Sequence, residues 1–200
     1  LKELCGVSLP DQVSVILGLD LEQIVDVAFA HSNQSKPVIT ESLKQALLQK
    51  KYHLFCEHAP GNLSVAPGVQ SILEFAKCEN IPCAVVSRAR RQRLMKTLEW
   101  LSLLDNWQAI YAGEDLLPQG DGVYKKNWQS AALRCGVATH QCIVFEDSKQ
   151  GLISAKEQGV GYRVAVASGY DKQDFLGLGV DQVILTLKEL DTRCFSILPR

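Results

Sequence analysis

Two adjacent carboxylates follow an apolar run in the second half of the chain. The run from Cys142 to Phe145 predicts a buried strand, and Glu146 and Asp147 come directly after it. Carboxylates at a strand end suit Mg²⁺, which binds one or two protein carboxylates and fills its other positions with water and phosphate oxygens. Ser148 can cap the helix that follows. The helix dipole is the alternative explanation for two acids at this place.

Two further groups of residues could bind a phosphoryl group. Ser87 and Arg88 follow the apolar run 84–86, where a hydroxyl can donate to a phosphoryl oxygen, although serine at such a junction is more often a helix cap. Arg88 could also contact an anionic substrate. Lys125 and Lys126 precede a predicted helix, and a lysine there opposes the helix dipole. Neutralisation of phosphate charge would explain it, and an ordinary surface lysine is the alternative.

From Pro82 onward, short apolar runs alternate with amphipathic helical patterns. Strands that are apolar on both faces and joined by helices indicate a parallel sheet covered on both sides, so a doubly wound α/β fold is expected. Ligands bind beyond the carboxyl ends of such strands, which is where Ser87 and Asp147 stand. The predicted strands are 83–86, 109–111, 142–145, 163–166 and 182–185, and the predicted helices are 91–104, 127–135 and 149–158.

The part of the chain before Pro60 has a different pattern. Apolar residues such as Leu17, Leu21 and Ile24 recur there at three- and four-residue steps, without a convincing strand. The turn-forming segment 59–62 ends this region. The sequence therefore predicts a helical unit over 1–62 and an α/β core over 63–200.

Charge and composition narrow the class of partner. The 200 residues include 21 basic and 22 acidic side chains, for a net charge of −1, so neither a nucleic acid nor a membrane surface is predicted as a partner. The apolar runs are far shorter than the ~20 residues of a membrane span. Seven cysteines without metal-binding spacing fit a reducing cytoplasm. We predict a cytoplasmic monomer or weak homodimer with a small-molecule partner.

The order of these features resembles the haloacid dehalogenase-like superfamily, particularly its phosphoglycolate phosphatase and β-phosphoglucomutase branch. Residues 145–155 are similar to the acidic signature of that branch. Residues 66–69 are similar to the Pro-Gly turn by which its chain re-enters the core after a helical cap. The resemblance implies a Rossmann-like core, a cap over 1–62, and a Mg²⁺-dependent phosphatase that acts on a small phosphorylated metabolite.

The same resemblance implies roles for individual residues. Asp147 would bind Mg²⁺, and Glu146 would be a second ligand or act through water. Ser87 and Lys125 would be the catalytic groups that contact the phosphoryl oxygens. Lys126, the next choice of lysine, and Arg88, which is predicted from its place beside Ser87 and not from the resemblance, would bind the substrate together with Ser87.

The sequence departs from the branch in its lysine and in its nucleophile. Branch members usually have Lys-Pro-x-Pro before the helix, and here that tetrapeptide is absent. Lys125 suits a shorter arrangement, and Lys126 is the next choice. The superfamily reaction also needs Asp-x-Asp after the first strand, where one aspartate attacks phosphorus and the other is the general acid and base. No Asp-x-Asp occurs, and its nearest imitation, the segment 20–22, lies in a helical pattern.

We therefore expect the first strand, with the nucleophilic aspartate, upstream of Leu1. The opening residue is Leu rather than Met, and the first residues have the pattern of a helix already under way. The alternatives are a catalytically inactive member that binds a phosphate ligand, and a phosphomutase. Dehalogenation of 2-haloacids is less favoured, because those relatives do not use Mg²⁺.

Overall fold

The structure, a computed structural model, describes residues 38, 40–118, 124–168, 170–191 and 193–197. For residues 117, 118, 124, 125 and 197 it describes the backbone alone. The helical pattern predicted before Val38 lies outside the described residues, as does the segment 20–22. The chain divides into two compact units, Leu1–Asn62 and Leu63–Arg200.

The described part of the first unit is mainly one helix, α1 (Glu41–His58). Thr40 caps it, because its Oγ1 accepts a hydrogen bond from the Leu43 N–H at 3.2 Å. The helical prediction for this segment is confirmed. In the part of the chain that the structure describes, no helix is both long and apolar enough to cross a bilayer.

The second unit alternates strands and helices, as the sequence predicts. The helix predicted over 91–104 ends at Trp100, because Ser102 adopts a left-handed φ of 55°, and a separate 3₁₀ turn, Leu104–Asn106, follows. The short helix Cys194–Ile197 is not predicted by the sequence. The helices are α2 (Val69–Cys78), α3 (Arg91–Trp100), α4 (Trp128–Arg134), α5 (Lys149–Glu157) and α6 (Cys194–Ile197), and the strands are β1 (Ala84–Val86), β2 (Ala109–Tyr111), β3 (Leu117–Pro118), β4 (Tyr124–Lys125), β5 (Ile143–Glu146), β6 (Tyr162–Val166) and β7 (Gln182–Ile184).

Parallel pairing dominates the strands. β1 pairs with β2, and β5, β6 and β7 form a second sheet in that order, with every pair parallel. The α/β class with a parallel, helix-covered core is confirmed. The antiparallel pair β3–β4 is not predicted by the sequence, because its two-residue strands have no periodic pattern. Within the described residues, β1 pairs with β2 alone and β5 with β6 alone.

Helix α4 connects the cores of the two sheets. Val86 at the end of β1 and Val144 in β5 belong to one buried cluster, and Trp128 and Ala131 of α4 complete it from one side. The β6 residues Val164 and Ala165 are fully buried, which explains why that strand is apolar on both faces. The cluster fixes the places from which residues 87 and 147 leave their strands.

Three partly buried thiols predict that the stability of the fold falls at alkaline pH. Burial raises the pKa of Cys83, Cys135 and Cys142 above the ordinary value of 9.0, and the nearby Cys135 raises the first and last further. The folded state therefore retains protons that the unfolded chain releases, and stability present below pH 9 is lost as the pH rises towards the folded-state pKa. Urea unfolding should give a lower free energy of unfolding at pH 10 than at pH 8. Cys142→Ala should reduce this difference. If the free energy of unfolding falls equally between pH 8 and pH 10 in the two proteins, Cys142 is not a source of the pH dependence.

Candidate functional site

Glu146 ends β5 as a buried carboxylate. The residue is 4% exposed and is the last residue of an otherwise apolar strand. Its Oε1 accepts hydrogen bonds from the Ser148 N–H at 3.3 Å and from the Ser148 hydroxyl. Its Oε2 lies 2.5 Å from Nζ of Lys126. Both carboxylate oxygens are therefore occupied by partners in the protein.

Lys126 is the cation of this buried pair. Its side chain is 12% exposed, and its Nζ also lies 5.4 Å from the centroid of the Trp128 ring. An ammonium group has three protons to donate, so the contact with Glu146 leaves donors for a second anion. The side chain of Lys125, which the sequence places first, lies outside the described residues. The structure thus brings the second choice, Lys126, to the acidic strand end.

The close approach of α5 to Glu146 depends on Gly151. A Cβ atom on Gly151 would lie 2.7 Å from Cγ of Glu146 and would overlap its carboxyl group. The same helix begins at the predicted cap, because Oγ of Ser148 accepts from the Gly151 N–H at 3.1 Å. One serine therefore holds both the helix start and the carboxylate.

Asp147 differs from Glu146 in its exposure and in its partners. It is exposed, and in the described part of the chain its carboxylate has no hydrogen bond or ion pair. The cation closest in sequence, Lys149, is engaged elsewhere: its Nζ lies 2.9 Å from Oδ1 of Asp174 and holds the pKa of that carboxyl below its usual value. The described residues contain no cluster of three metal-binding side chains. The exposed carboxylate of Asp147 can nevertheless bind a cation.

Ser87 leaves β1 in a tight turn. Its Oγ accepts from the Ala89 N–H at 3.1 Å, and its own N–H donates to the Tyr111 carbonyl at 2.9 Å. Since α3 begins only at Arg91, Ser87 is not a helix cap, and the simpler explanation of this serine is wrong. Its hydroxyl proton can still be donated to a ligand. Arg88 is exposed beside it.

Two polar residues of α5 and its end support this site and are absent from the sequence predictions. Ser154 and Gln158 are buried, and both contact the backbone of Lys126. Gly151, Ser154 and Gln158 lie three and four residues apart, so they share one helix face. The sequence signal for these two residues is a small or polar side chain at positions 151, 154 and 158, on a helix face where buried apolar residues are expected.

Comparisons with known proteins give a family and a fold for this chain. The haloacid dehalogenase-like hydrolase family model matches residues 1–166. The chain belongs to this family. It is 29% identical over 140 residues to a haloacid dehalogenase-like hydrolase domain-containing protein of Arabidopsis thaliana, a match that covers 66% of this chain and 43% of that protein. It is 26% identical over 120 residues to the phosphorylated carbohydrates phosphatase of Thermotoga maritima, a match that covers 60% and 53%.

A solved structure gives the same fold. The β-phosphoglucomutase of Clostridium difficile has a TM-score of 0.71 and 15% identity, and the match covers 98% of this chain and 85% of that one. The chain spans about half the length of the two relatives that it matches in sequence. Family membership and the Rossmann-like core are therefore shown.

Proposed function

We propose that the whole protein is a Mg²⁺-dependent phosphate-monoester hydrolase that acts on a small phosphorylated metabolite. The observation that carries this proposal is the buried Lys126–Glu146 pair beside the exposed Asp147 at the carboxyl end of β5. A fixed cation next to a free carboxylate suits a ligand that combines a phosphate with a divalent metal. The similarity to a phosphorylated carbohydrates phosphatase supports a sugar phosphate as the substrate class.

The two acids of the strand end have separate roles in this proposal. Asp147 binds Mg²⁺, because its carboxylate is exposed and unengaged among the described residues. Both oxygens of Glu146 already have partners, so Glu146 orients Lys126 and acts on the metal through water at most. When bound, Mg²⁺ polarises the phosphoryl oxygens as a Lewis acid.

Cationic and hydroxyl donors hold the phosphoryl group in place. Lys126 donates its remaining Nζ protons to the phosphoryl oxygens while Glu146 keeps the ammonium in position. Ser87 donates its hydroxyl proton, and Arg88 contacts the substrate from the surface. Lys125, whose side chain lies outside the described residues, is the alternative donor to the same oxygens.

The nucleophile in this proposal is an aspartate on a strand upstream of Leu1. The absence of Asp-x-Asp from the sequence supports this. So do the edges of β1 and β5 that have no partner strand within the described residues.

The test is hydrolysis of p-nitrophenyl phosphate by the complete protein, measured against Mg²⁺ concentration. Asp147→Asn should raise the Mg²⁺ concentration needed for half-maximal rate by at least about 10- to 100-fold. Loss of a hydrogen-bond partner of a metal ligand already weakens metal binding by that much, and Asp147 would be the ligand itself. The matched control is Asp105→Asn, an exposed carboxylate in the 3₁₀ turn after α3, which should leave the rate unchanged. Metal-independent hydrolysis that survives Asp147→Asn would reject the assignment.

A non-catalytic phosphate-binding protein is the second candidate. The missing Asp-x-Asp favours it if no such motif precedes Leu1. In that case isothermal titration should detect binding of inorganic phosphate that depends on Mg²⁺ and on Asp147, without turnover. An Asp-x-Asp after an apolar run upstream, together with turnover, would exclude this candidate.

A further inference from the structure

We infer that Gln158 is a positioning residue that holds the Lys126 ammonium at Glu146. This inference rests on the proposed function only for the role of Lys126 in binding phosphate, since the contacts of Gln158 do not depend on a reaction. Gln158 stands at the end of α5, 32 residues from the lysine along the chain, and is 8% exposed. It touches neither the ammonium nor the carboxylate.

The side-chain amide of Gln158 binds the backbone on both sides of Asn127. Its Nε2 donates to the Lys126 carbonyl oxygen at 2.6 Å, and its Oε1 accepts from the N–H groups of Trp128 at 3.0 Å and Gln129 at 3.2 Å. A flipped amide would place its donors against two N–H groups, so the orientation is unambiguous. The amide therefore fixes the backbone from which the Lys126 side chain extends.

Ser154 completes this tether one turn earlier in α5. Its Oγ donates to the same Lys126 carbonyl at 3.3 Å and accepts from Nε2 of Gln158 at 2.9 Å. Ser154 is 1% exposed. The carbonyl of Lys126 thus has two buried donors on one face of α5, and the neighbouring Gly151 of that face contacts the Glu146 carboxylate. One helix positions both members of the ion pair.

Capping of α4 is the competing role of Gln158, and one substitution separates the two roles. The N–H groups of Trp128 and Gln129 are the first two of α4, and such groups lack partners within a helix. A glutamate at 158 can still accept from both and is favoured by the helix dipole. It cannot donate to the Lys126 carbonyl. Gln158→Glu therefore keeps the cap and removes the tether.

The experiment measures how fast acetic anhydride labels the Lys126 amine in the complete folded protein, by mass spectrometry and without substrate. In the wild type, burial and the ion pair should make this labelling slow. Gln158→Glu should raise it about tenfold, the lower end of the effect of removing a supporting partner in a site. Gln129→Met, an exposed glutamine on the adjacent helix, is the control and should leave it unchanged. Labelling of Lys126 that stays at the wild-type rate in Gln158→Glu would overturn the inference.

A second variant and a second readout keep the outcome decisive. If Gln158→Glu does not fold, Ser154→Ala decides, because it removes one donor to the same carbonyl and should raise the labelling about twofold, as expected for a weaker neutral hydrogen bond. No increase in that variant would overturn the inference. In the complete protein, Gln158→Glu should lower kcat more than it raises KM for p-nitrophenyl phosphate. Faster labelling in a protein without phosphatase activity would refute the proposed function and leave the tether standing.

Discussion

Replacing Lys126 by methionine is expected to lower the free energy of unfolding by about 3–5 kcal/mol, because Glu146 would keep a buried charge without its partner. The side chains of Glu146 and Lys126 are 3% and 12% exposed, so water cannot replace the lost contact without rearrangement. The measurement is urea unfolding of the complete protein, followed by tryptophan fluorescence. In the complete protein, the loss of this donor should also lower kcat about 10²- to 10³-fold.

Two further variants make the result specific to the buried pair. Adding Glu146→Gln to Lys126→Met removes the unpaired charge and should restore most of the lost stability. Removing both charges of a buried ion pair destabilises a protein far less than removing one of them. Lys149→Met breaks the neighbouring pair with Asp174, whose side chains are 50% and 42% exposed, and should change stability little. A single variant as stable as the wild type, or a double variant no better than the single one, would contradict this account of Glu146.

Gly151→Ala is expected to destabilise the protein by about 2–3 kcal/mol, the cost of forcing an extra atom into a packed site. The direction is informative, because glycine to alanine inside a helix normally stabilises it by about 1 kcal/mol. Here the new Cβ would lie 2.7 Å from Cγ of Glu146 and displace the carboxyl group. Urea unfolding measures the effect, and labelling of Lys126 should rise in parallel as the ion pair opens.

The control and the rescue both use nearby positions. Gln150→Ala, one exposed residue earlier in α5, should leave stability nearly unchanged or raise it slightly. Glu146→Asp in the Gly151→Ala background shortens the displaced side chain by one methylene and should recover part of the loss. A Gly151→Ala protein more stable than the wild type would show that Glu146 does not occupy the space beside this glycine.

Local pattern was sufficient to predict most elements of the core. The apolar runs that end at Val86 and Phe145 are short and rich in β-branched residues, and both form parallel strands within a residue of the predicted limits. Ser148 was recognised as a cap from its place alone, because a cap is a contact over three residues. The pair β3–β4 was missed, because strands of two residues are too short to show a periodic pattern.

The order of Ser87, the lysines and the acidic pair was enough to predict the family. That order is a property of the sequence, and membership of the haloacid dehalogenase-like hydrolase family is confirmed. The roles of the individual residues stay predictions. They depend on distances that no spacing along the chain defines.

Tertiary structure placed Lys126 beside Glu146 and decided the exposure of the two acids. Lys126 and Glu146 are 20 residues apart, and Lys126 and Gln158 are 32 apart, so no local rule could pair them. The sequence by itself determined the longer strands and helices of the core and an acidic pair at a strand end, because these follow from neighbouring residues. Packing of α5 against β5 and α4 then buried Glu146 with a lysine and left Asp147 exposed, since only one of two adjacent carboxylates can turn inward.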